Sequence, residues 1–156
     1  MIGEIRDLET AQIAVQASLT GHLVLTTLHT NDAAAAITRL LDMGIEPFLL
    51  SSSLLGVVAQ RLVRKLCVHC REFDGQRWVE RGCTHCGQTG YHGRVGVYEL
   101  LLTTPEISTQ IHNQVSEADI RVSAQQNGMQ TLRADGERWL QQGVTSEAEL
   151  LRVTKD

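Results

Sequence analysis

Apolar positions change their period several times along the chain, and each change predicts an element. Leu8, Ala11, Val15 and Leu19 share one face at helical spacing. Residues 8–19 are therefore expected to be a helix, N-capped by Asp7 and closed by Gly21. The run Leu23-Val24-Leu25-Thr26-Thr27-Leu28 has no alternation, which is how a strand covered on both faces of a parallel sheet reads. Residues 1–4, with apolar Ile2 shortly before a helix, read as the end of another strand. Asn31 or Asp32 caps a second helix running through Met43 to Gly44, and strand, helix, strand, helix predicts a parallel α/β core. A short helix is expected over 47–55, then a strand over 57–66 leading into a cysteine-bearing β-ribbon, and a second strand over 94–102. Beyond Pro105 the pattern is helical over 107–113, 116–127 and 132–142. Ser146 with Glu149 reads as a capping box opening a last helix.

Composition narrows the class. A chain of 156 residues supports one compact domain, or a domain with appendages. Aromatics make up only 4%, so the core has to be built from Leu, Val, Ile and Ala. A net charge of −4 argues against bulk nucleic-acid binding. No apolar run approaches the roughly 18–20 residues of a membrane span, and MIGEIRDLET lacks the parts of a signal peptide, so a cytoplasmic location is expected. Charge is uneven: seven basic side chains against three acidic ones make residues 61–94 +4 and leave the remainder −8.

The cysteines occupy that same basic stretch. Cys67, Cys70, Cys83 and Cys86 form C-x2-C, twelve residues, C-x2-C. Two such knuckles can complete a tetrahedral four-sulfur site with no open position, hence a structural zinc site. Free or redox-active thiols are the alternative, and His69 and His85 sit inside the knuckles as substitute ligands. Neighbouring Arg and Lys favour the thiolate form. The rest of the positive charge is either a solvated face or one turned to anionic lipid or an acidic partner.

A second group of candidates lies at the start. A strand ending in Gly3-Glu4 puts a carboxylate at the edge where open α/β sheets bind ligands, with a small residue that permits close approach. Such a carboxylate can orient or deprotonate a water near Mg²⁺, or can simply be exposed. His22 and His29 flank the apolar run, roughly 23 Å apart at strand rise. His29 is thus expected at the Glu4 edge and His22 at the opposite end, with plain capping histidines as the alternative.

GEIRDLETAQIAVQASLTGHLVLTTLHTNDA resembles the Walker B segment and histidine box of bacterial secretion ATPases. LLGVVAQRLVRKLC, CTHCGQTGYHGRVGVYELL and GMQTLRADG resemble the segments that come after the histidine box in the same family. SSSLLGVVAQRLVR resembles its type II secretion branch more than type IV pilus assembly ATPases. The resemblance implies an α/β fold: part of a RecA-like P-loop NTPase core over 1–66, a four-cysteine zinc β-ribbon over 67–94, and a strand with an α-helical subdomain over 95–156. It implies Glu4 as the Walker B carboxylate and His29 as the sensor of the γ-phosphate. Gly3, Arg6, Asp7 and His22 would support the ATP site. It further implies Mg²⁺ with ATP, structural Zn²⁺, and a hexamer peripheral to the cytoplasmic face of the inner membrane. There the hexamer would contact inner-membrane secretion components and power pseudopilus assembly.

Two departures accompany the resemblance. The twelve-residue gap between cysteine pairs is shorter than expected for the family. A phosphate loop needs Gly-Lys-Ser/Thr, whereas the two lysines here, Lys65 and Lys155, come directly after Arg64 and Thr154. The chain is therefore expected to be a C-terminal fragment, inactive alone. A type IV pilus assembly ATPase fragment and a free-standing zinc-ribbon adaptor remain the rival readings. The helices from Ile107 onward carry no catalytic constellation.

Overall fold

The structure, a computed structural model, describes residues 1–154; Lys155 and the end of the expected 95–156 segment lie outside the described residues. It falls into two compact units that interleave along the chain, Met1–Ala59 with Leu100–Met129, and Gln60–Glu99 with Gln130–Asp156.

The first unit holds α1 (Leu8–Leu19), α2 (Ala33–Asp42), α3 (Pro47–Ser53), α4 (Pro105–His112) and α5 (Glu117–Gln126). Each long helix starts where a short polar side chain can satisfy a free backbone N–H. Asp7 accepts from Thr10 N at 2.8 Å, and Asp32 accepts from Ala35 N at 2.9 Å. Thr104 and Ser116 do the same for α4 and α5. Fully buried Ile37, Leu50, Ile107, Ile111 and Ile120 centre the core, each side chain worth about 1.5–3 kcal/mol of transfer free energy. In α1 the buried stripe is Ala11, Ala14 and Val15, whereas Leu8 and Leu19 stay partly exposed. The expected stripe is thus corrected: its outer members lie at the helix ends, beyond the packed middle turns.

The expected strands over 1–4 and 23–28 are extended and run in the same direction, but without a regular ladder. Ile2 N donates to Leu25 O at 2.9 Å and Ile5 N to Thr27 O at 3.0 Å. One segment advances three residues while the other advances two, so the register breaks. Burial on both faces is also overturned here: Leu23 is 72% and Leu25 59% exposed. Among the described residues the lateral backbone bonds to this run come from residues 2–5, and one irregular neighbour cannot cover both faces. A cavity of about 190 Å³ lies between the run and apolar side chains of α1 and α3.

Strands β1 (Gly56–Leu66) and β4 (Tyr91–Leu102) pair with each other, and each passes from one unit into the other. The second unit adds β2 (Glu72–Phe73), β3 (Trp78–Val79), a 3-10 turn at Thr84–Cys86, α6 (Leu132–Gln141) and α7 (Glu147–Val153). β2 and β3 form an antiparallel hairpin in the register Glu72↔Val79, Phe73↔Trp78. The elbow between α6 and α7 is bonded to β1 by Leu66 N to Val144 O at 2.8 Å and Thr145 Oγ1 to Arg64 O at 2.8 Å. Gly136 lets α7 approach α6, since a Cβ there would fall on the Leu150 side chain.

The expected capping box at α7 is only half made. Ser146 Oγ accepts from Glu149 N at 3.3 Å, but the Glu149 carboxylate turns away from its own helix start. It accepts from Arg64 N at 3.0 Å, from the Arg64 guanidinium at 2.7 Å and from Arg152 Nε at 2.8 Å. Charge-assisted bonds from two guanidinium groups outcompete one neutral amide. Glu149 is 1% exposed. Burial alone would raise its pKa, yet the bonds from Arg152 and Arg64 bring it down to about 2.

A depressed carboxylate stabilises the fold above its unfolded value, about 4.3, and that contribution is lost as pH falls toward about 2. Glu149→Gln is expected to cost about 2–3 kcal/mol at neutral pH and to flatten the acid limb between those values. Denaturant titrations of both proteins at several pH values check this.

Candidate functional site

Two groups of side chains are brought together, one in each unit. In the first, Glu4 lies between two bases. Arg6 Nε reaches Glu4 Oε2 at 2.7 Å, and His29 Nε2 stands 2.7 Å from Glu4 Oε1. The Glu4 side chain is 19% exposed and that of His29 89%, so the carboxylate is sheltered while the imidazole faces outward. The hydrogen bond from Arg6 holds the Glu4 carboxyl below its ordinary value, against the opposing effect of burial, with further help from the charges of Arg6 and His29. Gly3 leaves open space, since a Cβ there would meet nothing within 4 Å.

Of the other candidates, Asp7 caps α1 and is held below the usual carboxylate range by its bonds from Thr10. His22 does not join the group. Its Nδ1 lies 3.2 Å from Thr20 Oγ1 and 3.3 Å from Ala17 O, at the end of α1. Sequence reasoning missed Arg121, whose guanidinium reaches Asp32 Oδ2 at 2.5 Å across 89 residues. Nothing local signals such a pair, although Glu117 at i−4 marks Arg121 as an ion-pairing position.

In the second unit all four cysteine sulfurs lie within 4.8 Å of one another and could hold a metal ion. Cys67–Cys83 are 3.9 Å apart, Cys70–Cys86 3.8 Å and Cys83–Cys86 3.8 Å. These separations are nearly twice the S–S bond length of about 2.0 Å, so the four are free thiols grouped as a cage. Backbone N–H groups aim at the sulfurs, with Gly82 N on Cys70 at 3.3 Å, and Cys83 N and Gly90 N on Cys86 at 3.3 and 3.2 Å. Burial pushes the Cys70 thiol up to about 11. Burial also acts against Cys86, but the amides of Cys83 and Gly90 and neighbouring thiols bring it down to about 6. Four thiolates this close repel one another strongly unless a cation sits among them.

The cage is joined to the α6–α7 elbow. Arg71 donates to Gly143 O and lies 4.7 Å over the Trp78 ring, and Arg77 pairs with Glu147. Gly143 has φ +66°, and a side chain there would strike Trp78. Part of the positive charge of this region is paired with carboxylates: Arg64 with Glu149, Arg77 with Asp74 and Glu147, and Arg81 with Glu72.

In the first unit a sheltered carboxylate faces a histidine across parallel extended segments, and in the second four thiols form a cage. Residues 1–152 match the family described as type II/IV secretion system protein, and the chain belongs to that family. It is 62% identical over 156 residues to the type II secretion system protein HxcR of Pseudomonas aeruginosa, covering 100% of this chain and 33% of that protein. It is 51% identical over 177 residues to the type II secretion system ATPase E of Vibrio cholerae, covering 100% and 34%. It is 45% identical over 172 residues to the type IV pilus assembly ATPase TfpB of Acinetobacter baylyi, covering 98% and 29%. Among solved structures, the pilus retraction motor PilT with bound ADP superposes with a TM-score of 0.71 at 29% identity, covering 99% of this chain and 38% of that one. The chain thus spans about a third of the length of the curated relatives it matches.

Metal analysis of the purified protein is expected to find one divalent ion per chain. Cys83→Ser should abolish it and raise amide exchange in residues 67–94 and in the elbow at 142–147, because Arg71 and Trp78 tie the two. Hydrogen exchange with mass spectrometry reads both regions.

Proposed function

We propose that this chain is the C-terminal part of a hexameric ATPase that powers type II protein secretion, and that Glu4 and His29 are its groups at the ATP site. The observation that carries the reading is the 2.7 Å contact between them, formed by two residues 25 positions apart on neighbouring extended segments. Residues 1–66 are part of a RecA-like core, 67–94 a zinc ribbon, and 95–156 a strand with helices. The identities favour a type II client, since the relatives so named reach 62% and 53% against 45% for the pilus assembly relative. That pilus relative remains the runner-up. A free-standing zinc-ribbon adaptor has no use for a sheltered Glu4.

Phosphoryl transfer is mostly positioning and electrostatic stabilisation. The Arg6 bond keeps Glu4 ionised, which suits it to orienting a water or serving the outer shell of the Mg²⁺ that accompanies ATP. His29, exposed and aimed from the neighbouring segment, is placed to answer a terminal phosphate. No Gly-Lys pair is present to clamp the phosphates, so the isolated chain binds ATP weakly and does not turn it over.

Zinc fits the cage on this chain's own distances. Four sulfurs about 2.3 Å from a tetrahedral ion stand about 3.8 Å apart, against 3.8–3.9 Å for the pairs Cys67–Cys83, Cys70–Cys86 and Cys83–Cys86, with all four sulfurs within 4.8 Å of one another. Cys67, Cys70, Cys83 and Cys86 would hold it, and a closed sulfur shell supplies stability rather than reactivity. No helix among the described residues is long and apolar enough to cross a membrane. The assembly would work at the cytoplasmic face of the inner membrane, in contact with inner-membrane secretion components.

In the full-length protein, Glu4→Gln is expected to lower ATP turnover roughly 10²–10⁴-fold and His29→Ala to lower it directly, both with the oligomer intact. His22→Ala should leave the chemical step and act through packing at the end of α1. Steady-state ATPase assays with sizing of the oligomer decide this. Equal losses for the two histidine variants in intact oligomers would overturn the placement of His29.

A further inference from the structure

The turn that carries His29 is held from a distant helix. Arg121 on α5 places its guanidinium 2.5 Å from Asp32 Oδ2 and 2.8 Å from Glu117 Oε1. Glu117, one turn earlier on α5, directs the arm toward α2, against which α5 packs. Asp32 is a fixed end point, because its other oxygen caps α2 through Ala35 N at 2.9 Å. Thr30 Oγ1 closes the turn on Asp32 O at 3.1 Å. The Asp32 side chain is mostly covered, so the pair is screened less than an open surface ion pair. His29, by contrast, is largely exposed and meets Glu4 through one contact. A single contact on an exposed ring does not fix a turn; an anchored residue three positions away does.

We propose that Arg121 is a positioning residue for the Glu4–His29 pair, acting by pinning Asp32 and so setting where His29 stands. This rests on the reading of Glu4 and His29 as ATP-site groups. It gives the helices after β4, which bring no reacting group, a route to the site through one guanidinium. The cost of losing it comes from geometry, since a misplacement of about 1 Å at a reacting pair is worth roughly 10² in rate.

The test uses the full-length protein. Arg121→Met is expected to lower kcat roughly 10- to 100-fold with KM within about threefold, and Arg121→Lys to recover part of the loss. Asp32→Asn keeps a capping oxygen on α2 but removes the charge, so it should give the same loss. The double variant Arg121→Met with Asp32→Asn should be no worse than the poorer single one. Hydrogen exchange should rise in residues 27–33 and stay unchanged through α4 and α5. Unchanged kcat, losses that multiply in the double variant, or exchange rising throughout α4 and α5 would each overturn the proposal. If Glu4→Gln and His29→Ala leave turnover unaltered, the ATP-site reading is what fails. Exchange in 27–33 then decides alone whether Arg121 pins the turn.

Discussion

Glu149 sits in the second unit with no solvent to hydrate it, and a buried carboxylate tolerates only full satisfaction. It obtains that from an amide and a guanidinium of β1 and from a guanidinium on its own helix. The backbone amide is the telling partner: it belongs to a fixed point on a strand, so α7 is located to within a hydrogen bond. Tyr91 reinforces the junction, with its hydroxyl 2.6 Å from Ser146 Oγ and its ring 4.2 Å beneath the Arg64 guanidinium. The elbow that receives Arg71 and Trp78 is therefore held from both sides, and the thiol cage inherits a rigid footing.

The same device recurs at smaller scale. Asp32 gives one oxygen to the start of α2 and the other to α5, and Glu4 accepts from Arg6 through one oxygen with the other 2.7 Å from His29 Nε2. Asp135 accepts from Tyr98 N at 2.9 Å while also pairing with Arg138. A carboxylate with two oxygens can hold two elements in fixed relation, which a hydroxyl or an amide does less strongly. With few aromatics to interlock a core, this chain sets its finer geometry through such forks. That also gives a use to part of the basic segment around the cysteines, where Arg64, Arg77 and Arg81 face acidic partners from the same unit.

Residues alone disclosed the features that local chemistry decides. The cap at Asp7, the cap of α2 narrowed to Asn31 or Asp32, and the C-x2-C knuckles each depend on groups a few positions apart. The pairing of Glu4 with His29 was legible because the ends of parallel strands share an edge. Long-range competition was not legible. Nothing near Ser146 reveals that Glu149 will leave the capping box for an arginine 85 residues away, and nothing near Asp32 points to Arg121. The run over 23–28 failed for a related reason: its composition records an apolar environment, but which atoms cover it depends on segments that period and spacing do not identify.

The hairpin between the cysteine pairs has a consequence for how this architecture tolerates change in length. Its ladder ends at Phe73↔Trp78, and Gly75 at the tip, with φ +101°, has open space around it. The sulfurs are oriented by amides at Gly82, Cys83 and Gly90, outside that tip. Extra residues beside Gly75 would meet no packed neighbour there; the cost is the opening of the turn in which Asp74 Oδ1 accepts from Gln76 N and Arg77 N, with loop closure adding about 0.6 kcal/mol for each doubling of length. Alignment over 177 positions with the Vibrio relative against 156 residues here already implies that the relatives differ in length. A reporter peptide or a small folded insert placed at that tip would leave the arrangement of the four sulfurs as it stands.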